Sequence, residues 1–435
     1  MSRYTKQDIF NMVEEEDVEF IRLQFTDIFG NMKNVAITSS QLEKALDNRC
    51  MFDGSSIEGF VGIEESDMYL HPDLDTFTIF PWRPQQGKVA RIICDIYRPD
   101  GTPFEGDPRY ILRRVVKEAE DMGYVFDVGP ECEFFLFNTD DNGCPTTETT
   151  EKAGYFEMGP NDHGENARRD MVLTLEDMGF EIEASHHEAS PGQHEIDFRY
   201  EPALHAADNI MTFKLAVKTI AKRHGMHATF MPKPKTEANG SGMHIQFSLI
   251  KNGENVFECA DRPGELSEDA YYFIGGLLAH SKEMALITNP LVNSYKRLVP
   301  GYDAPTELTW TENNQNSLVR IPVTRGEGIR IELRRSDASA NPYVVLAVCL
   351  AAGLDGIKNK ITPTKSSNLA AQDQQAEHLP ETLKEAIDYF ESSSWVKEVL
   401  GEEFCRQYVA AKKNEWLRYT RQVTDWEIAE YLYRL

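Results

Sequence analysis

A chain of 435 residues with 71 acidic and 45 basic side chains carries a formal net charge of −26. That excess argues against binding nucleic acid or an anionic membrane by bulk electrostatics. The 41% hydrophobic and 10% aromatic content describes a folded chain, long enough for two or three domains.

The seven cysteines are scattered, odd in number and form no C-x-x-C pair. This pattern points away from a disulfide framework or a structural zinc, and towards a reducing compartment. The polar start, Met1-Ser-Arg-Tyr-Thr5, does not read as a signal peptide. The most apolar stretch, residues 343–354, is too short to span a bilayer. A soluble, cytoplasmic protein is expected.

In chain order, Thr5 is placed to cap a short helix over 5–15, followed by strands over 18–24 and 32–37 around the turn at 27–31. A short helix over 41–48 precedes a tight small-residue loop, Asp53-Gly-Ser-Ser56, which by itself reads as an ordinary turn. Further β-rich pieces at 77–81 and 89–96 complete a small mixed domain, 1–103, that ends at Arg98-Pro-Asp-Gly-Thr-Pro103.

The second domain, 104–435, opens with Asp107-Pro108, a cap followed by proline at the first helical position, and Gly123 ends that helix. The strand predicted over 127–137 carries Glu131 and Glu133 on one face, because alternate strand residues share a side. A polar, glycine-rich loop over 139–164 follows, then helices over 166–178 and 207–224. Residues 180–198 read as two strands around Pro191-Gly192, carrying His186, His187, Glu188, His194 and Glu195. Over 240–249, Met243, Ile245, Phe247 and Leu249 alternate with His244, Gln246 and Ser248, and Arg330, Glu332 and Arg334 alternate likewise with Ile331 and Leu333. The rest is helical: 267–287, a wholly apolar and therefore buried helix from Asn341-Pro342 to about 354, and several helices after 380. An antiparallel-rich sheet with one polar face, backed by helices, is the expected architecture.

Several strands thus present Glu131, Glu133, Glu188, Glu195, His244 and Glu332 to a common face. Like charges that close repel unless a cation sits between them or one takes a proton. Carboxylate-rich sites with a minor imidazole share suit hard ions such as Mg²⁺ or Mn²⁺. Arg297, Arg320, Arg325, Arg330 and Arg334 fall in the same region, and metals with arginines clamp phosphate and carboxylate. With no Walker A loop and no G-x-G-x-x-G, a nucleotide would be held through metals and arginines. The alternative is a structural salt-bridge network, in which His186, His187 and His194 merely fill a polar strand.

The stretches Met51-Phe-Asp-Gly-Ser-Ser-Ile-Glu-Gly-Phe60, Gly129-Pro-Glu-Cys-Glu-Phe-Phe135, Phe230-Met-Pro-Lys-Pro234, Asn239-Gly-Ser-Gly-Met-His244, 289–302 and Asn341-Pro-Tyr343 resemble bacterial type I glutamine synthetase, in the same order. The resemblance implies an α+β fold, with an N-terminal β-grasp domain ahead of a glutamine synthetase/guanido-kinase-like catalytic domain. It also implies a dodecamer of two hexameric rings, with active sites between subunits. The implied reaction joins ammonia to L-glutamate with ATP through γ-glutamyl phosphate, with two or three Mg²⁺ or Mn²⁺ per site.

By the same resemblance, Glu133, Glu188 and Glu195 would hold one metal, and Glu131, His244 and Glu332 the other. Asn239, Gly240, Arg297 and Arg334 match glutamate-binding positions; Arg320 and Arg330 match a phosphate clamp. Glu183, His186, Tyr200 and Ser248 fall where ATP is held, and Asp53 matches the aspartate that binds ammonium and takes its proton.

Three departures stand out. Gln315 occupies the place of an arginine, a loss on the order of 2–4 kcal/mol of transition-state stabilisation if uncompensated. Asp303 replaces a flap glutamate, keeping the carboxylate on a shorter arm. Gly62 stands where an arginine linked to glutamine feedback often lies, and no tyrosine occurs in 361–380, where the adenylylated subgroup has its modified loop. Two other readings remain at this stage: a γ-glutamyl ligase for a larger amine such as a polyamine, and a catalytically impaired regulatory relative.

Overall fold

The computed structural model describes residues 3–435 apart from 61, 63–65, 84, 313–315, 325–327, 365 and 367–376. Gln315 and Arg325 therefore lie outside the described residues. The helix Lys6–Glu15 starts at Thr5 in a reciprocal capping box with Asp8.

The first sheet comprises β1 (Val18–Thr26), β2 (Met32–Thr38), β3 (Cys50–Asp53), β4 (Asp67–Pro72), β5 (Thr78–Ile79) and β6 (Lys88–Tyr97). Its order is β2-β1-β6-β4-β3, with β5 on β6, and β1 runs parallel to β6 while the other pairs are antiparallel. With its one parallel pair among antiparallel ones, this sheet is the N-terminal β-grasp unit that the resemblance implies. The turn between β1 and β2 is held by Asp27, whose Oδ1 accepts from the Phe29 and Asn31 amides. Gly30 in that turn has φ +83°, and an added Cβ would come 3.0 Å from the Asn341 Cα. The turn therefore docks against the cap of a distant helix, and Asn341 Nδ2 donates 3.1 Å to the Asp27 carbonyl.

The second sheet contains β7 (Val125–Asn138), β8 (Ile182–His187), β9 (Gln193–Phe198), β10 (Glu201–Pro202), β11 (Met226–Thr229), β12 (Met243–Lys251), β13 (Glu254–Asn255), β14 (Trp310–Thr311), β15 (Val319–Arg320) and β16 (Ile331–Leu333). Its backbone order is β14-β15-β16-β12-β7-β9-β8, antiparallel except for β14–β15. Met243, Ile245, Phe247 and Leu249 are fully buried on the packed side of β12. The predicted strand start at 240 moves to Met243, because the amides before it are taken elsewhere: Ser241 N donates to the Pro232 carbonyl at 2.8 Å and Gly242 N to Glu133 Oε2 at 2.8 Å.

The helices Ala203–Arg223, Glu268–Thr288 and Pro342–Asn359 pack as the core. The last is long and apolar enough to cross a membrane, but 78% of it is buried inside the fold, so it is a core helix. Its N-terminus is capped by Asn341, which accepts from the Tyr343 amide.

Arg109, on the helix Pro108–Asp121, ties the two sheets together. It is 2% exposed and pairs with Asp73 (2.8 Å) and Asp95 (2.7 Å) from the first sheet's segment, and with Asp208 (2.9 Å) on Ala203–Arg223. Arg109→Leu would leave Asp208 without its cation and Asp73 and Asp95 with Arg113 alone. A loss of about 3–5 kcal/mol is expected, read as a lower urea midpoint, and an unchanged midpoint would refute this role.

Candidate active site

Strand register assembles the site. Across β7 and β9, Glu131 faces Asp197 and Glu133 faces Glu195; across β8 and β9, His186 faces Glu195. Across β12 and β7, His244 faces Glu131, and Glu332 sits opposite both Gln246 and Arg320. Like charges directly opposite in a sheet destabilise it, yet here they are paired twice over. They line a cavity of about 480 Å³ together with Tyr155, Asn239, Gly240, Asp303, Arg320 and Arg334.

Two groups at it have the make-up of metal ligand sets, and every member except the fully buried Glu332 lines the cavity. One atom each of Glu131, His244 and Glu332 lie within 4.8 Å of one another, and so do one atom each of His186, Glu188 and Glu195. His244 Nδ1 is 3.5 Å from Glu131 Oε2 and 4.0 Å from Glu332 Oε1, while its Nε2 is buried with no hydrogen-bond partner among the described residues. Burial, reinforced by the Arg334 charge, lowers its pKa to about 4, so the imidazole is neutral and free to ligate. Burial, with repulsion from Glu133, pushes Glu188 up to about 7, and burial likewise raises Asp197 to about 7 and Glu195 well above the usual range. A set of facing, desolvated carboxylates beside an unpartnered imidazole nitrogen fits hard divalent cations.

Glu133 is held differently from the other acids. Its Oε2 accepts from Gln193 Nε2 at 3.0 Å and from the Gly242 amide, so the second cluster gathers around His186 rather than Glu133. Glu133 still lines the same cavity. His186, expected near ATP, thus lies within the carboxylate cluster. A third group, Glu151, His187 and His194, lies buried behind β8 and β9. There His187 Nε2 is 2.7 Å from Glu151, whose carboxyl is held down at about 2 despite its burial, chiefly by hydrogen bonds from His187 and the His163 amide. His187 and His194 therefore fill the packed side of their strands.

The arginines surround the acids. Glu332, fully buried, accepts from Arg320 Nη1 at 2.8 Å and from Arg334 Nη1. Arg330 Nη1 donates to Gln246 Oε1 at 2.6 Å and to the Tyr200 hydroxyl, with its guanidinium 4.9 Å over the Tyr200 ring. Ser248 donates to the Ile329 carbonyl at 3.4 Å, and Glu183 stands exposed on β8. Arg297 is 2% exposed and donates to the carbonyls of Arg335 (2.8 Å) and Arg334 (3.3 Å). An added Cβ at Gly240 would lie 2.3 Å from the Pro232 carbonyl and 2.7 Å from Arg297 Cγ, so only glycine fits there. Asn239 Nδ2 donates to Asp303 Oδ2 at 3.0 Å.

Asp53 is not among the residues lining this cavity; at the end of β3 it accepts from the Ser55 and Ser56 hydroxyls. Asp197 and Gln193 were missed by sequence reasoning. The signal was available, since both alternate with Glu195 along β9.

The sequence pattern described as "Glutamine synthetase, catalytic domain" matches residues 105–431, and "Glutamine synthetase, beta-Grasp domain" matches 17–99. The chain belongs to the glutamine synthetase family. It is 60% identical over 440 residues to a glutamine synthetase of Clostridium saccharobutylicum, covering 99% of each chain. It is 55% identical to that of Staphylococcus aureus strain N315, covering 99% of this chain and 98% of the relative. Among solved structures, one described as a GmaS/ADP complex has 30% identity and a TM-score of 0.89, covering 98% of this chain and 99% of the other. A Plasmodium falciparum glutamine synthetase determined by cryo-EM shares the fold, with a TM-score of 0.89 at 24% identity and 99% coverage of both chains.

Proposed function

We infer that this glutamine synthetase family member joins ammonia to L-glutamate with ATP, giving L-glutamine, ADP and phosphate through γ-glutamyl phosphate. The observation that carries the reading is two carboxylate–imidazole clusters at one cavity, with Arg320 and Arg334 in its wall. A carboxylate is a poor acyl donor, so phosphorylation must first supply a leaving group.

Glu131, His244 and Glu332 would hold one divalent cation, Mg²⁺ or Mn²⁺, and Glu188 and Glu195, with Glu133 or His186, a second. When bound, such cations neutralise the polyphosphate charge as its γ-phosphoryl group moves. Arg320 and Arg330 face the phosphoryl oxygens, while Tyr200, Ser248, Glu183 and His186 border the nucleotide. Arg297, Arg334, Asn239 and Gly240 position glutamate. Asp303, tethered by Asn239, stands at the amine end of the cavity and accepts a proton from ammonium.

Asp53 is the second proton acceptor and is supplied by a neighbouring subunit, a proposal supported by its position outside this chain's own cavity. A homo-oligomer, in the arrangement of two stacked hexameric rings, follows. The domain division is placed at 103/104 and the enzyme in the cytoplasm, where its cysteines, all free here, stay reduced.

The test is an acceptor comparison: purified protein with ATP, Mg²⁺ and L-glutamate, offered ammonia, spermidine or ethanolamine. Glutamine and ADP are expected in equal amounts with ammonia. Faster ADP release with either larger amine, or none with any acceptor, would overturn the reading.

A further inference from the structure

A second cavity, of about 460 Å³, lies where the β1–β2 turn meets the catalytic sheet's helices, and it shares no lining residue with the active site. In a chain of net charge −26, its wall has the opposite balance. Lys214 and Lys218 come from the helix Ala203–Arg223, Lys412 and Arg418 from Glu402–Thr420, against only Glu58 and Glu415.

Glu415 is already engaged, 2.9 Å from Lys412 and accepting from the Val292 amide. Lys214 is half-buried in the wall, where burial lowers its pKa; its ammonium donates to the Ala340 carbonyl at 3.2 Å and lies 5.9 Å over the Phe230 ring. Among the described residues no carboxylate lies within ion-pair distance of Lys214 or Lys218. A half-buried ammonium without a counter-charge is held at a cost, and an anion entering the cavity would reduce that cost.

The remaining wall says what kind of anion. Phe29, Phe230 and Met231 give the cavity an apolar side. A bare inorganic anion leaves those side chains against water, whereas a short carbon skeleton covers them and still carries charge at both ends.

We propose that this cavity is a binding site for a small organic dianion of the dicarboxylate class, with one carboxylate against Lys214 and Lys218 and the other against Lys412 and Arg418. The occupant would also touch Leu291, at the start of the segment leading to Arg297, and Met231, next to the Pro232 carbonyl that receives Ser241 N. Both segments shape the glutamate side of the active site, which makes the cavity suited to an effector.

Isothermal titration of the intact protein with succinate, and separately with inorganic phosphate, tests the assignment. Succinate is expected to bind more tightly than phosphate, and Lys218→Glu, at the solvent rim, to weaken it by at least about tenfold. Lys214→Met should have the same effect, and Lys218→Glu keeps the test valid if the buried substitution impairs folding. Three results would each overturn the proposal: no succinate binding, succinate binding unchanged in Lys218→Glu, or phosphate binding more tightly than succinate.

Discussion

Glu332→Ala is expected to destabilise the metal-free protein by about 3–5 kcal/mol, in addition to abolishing turnover. The carboxylate is fully buried on β16 and is the shared acceptor for Arg320 and Arg334. Removing it leaves two guanidinium groups, Arg334 largely buried and Arg320 on the cavity wall, without the carboxylate they share. Arg334 has its other charge partners at longer range, so no neighbour replaces the lost one. A residue serving only as a metal ligand would behave differently: its loss would end activity and leave the metal-free thermal midpoint where it was. An unchanged midpoint for Glu332→Ala without added metal would therefore sink the arginine clamp. Glu332→Gln keeps an acceptor oxygen for only one of the two arginines, which bond to different carboxylate oxygens, and should recover a smaller part of the stability but not the activity.

Stabilisation by Mg²⁺ should grow steeply with pH between about 5 and about 8. In the folded, metal-free protein burial holds Glu188 and Asp197 protonated up to about 7, and likewise raises Glu195 well above the usual carboxylate range. In the unfolded chain the same groups release their protons near 4. Across the interval between, the folded state binds more protons than the unfolded one, so these groups make stability fall as pH rises. A divalent cation takes the place of those protons, and below about pH 6 it must displace them in order to bind. The expected result is a small rise in Tm with millimolar Mg²⁺ at pH 5.5 and a much larger one at pH 8, lost again on adding a chelator. Glu195→Gln should flatten the difference. A Tm rise independent of pH would show that the clustered acids are already ionised without metal.

Local pattern carried much of the site. The face shared by Glu131 and Glu133, the alternation of His244 with buried Met243 and Ile245, and the caps at Thr5, Asp107 and Asn341 all depend on contacts within a few residues. Asp197 escaped notice although it sits two residues from Glu195, because its importance comes from facing Glu131 on another strand. The roles suggested for Glu133 and His186 exchange neighbours for a similar reason. Two donors that no sequence window associates with Glu133, Gln193 and the Gly242 amide, occupy one of its oxygens.

By itself the sequence determined that strands with acid and imidazole on one face exist, that the helix after Asn341 is buried, and, through its ordered motifs, which family the chain belongs to. Short-range periodicity and capping settle those matters. Only the tertiary structure decided which strands are neighbours, how Glu131 meets Asp197, why Glu332 is a counter-charge as well as a candidate ligand, and that Asp53 lies outside its own chain's cavity. Those facts depend on strand register and on contacts between separate strands, which no local pattern encodes.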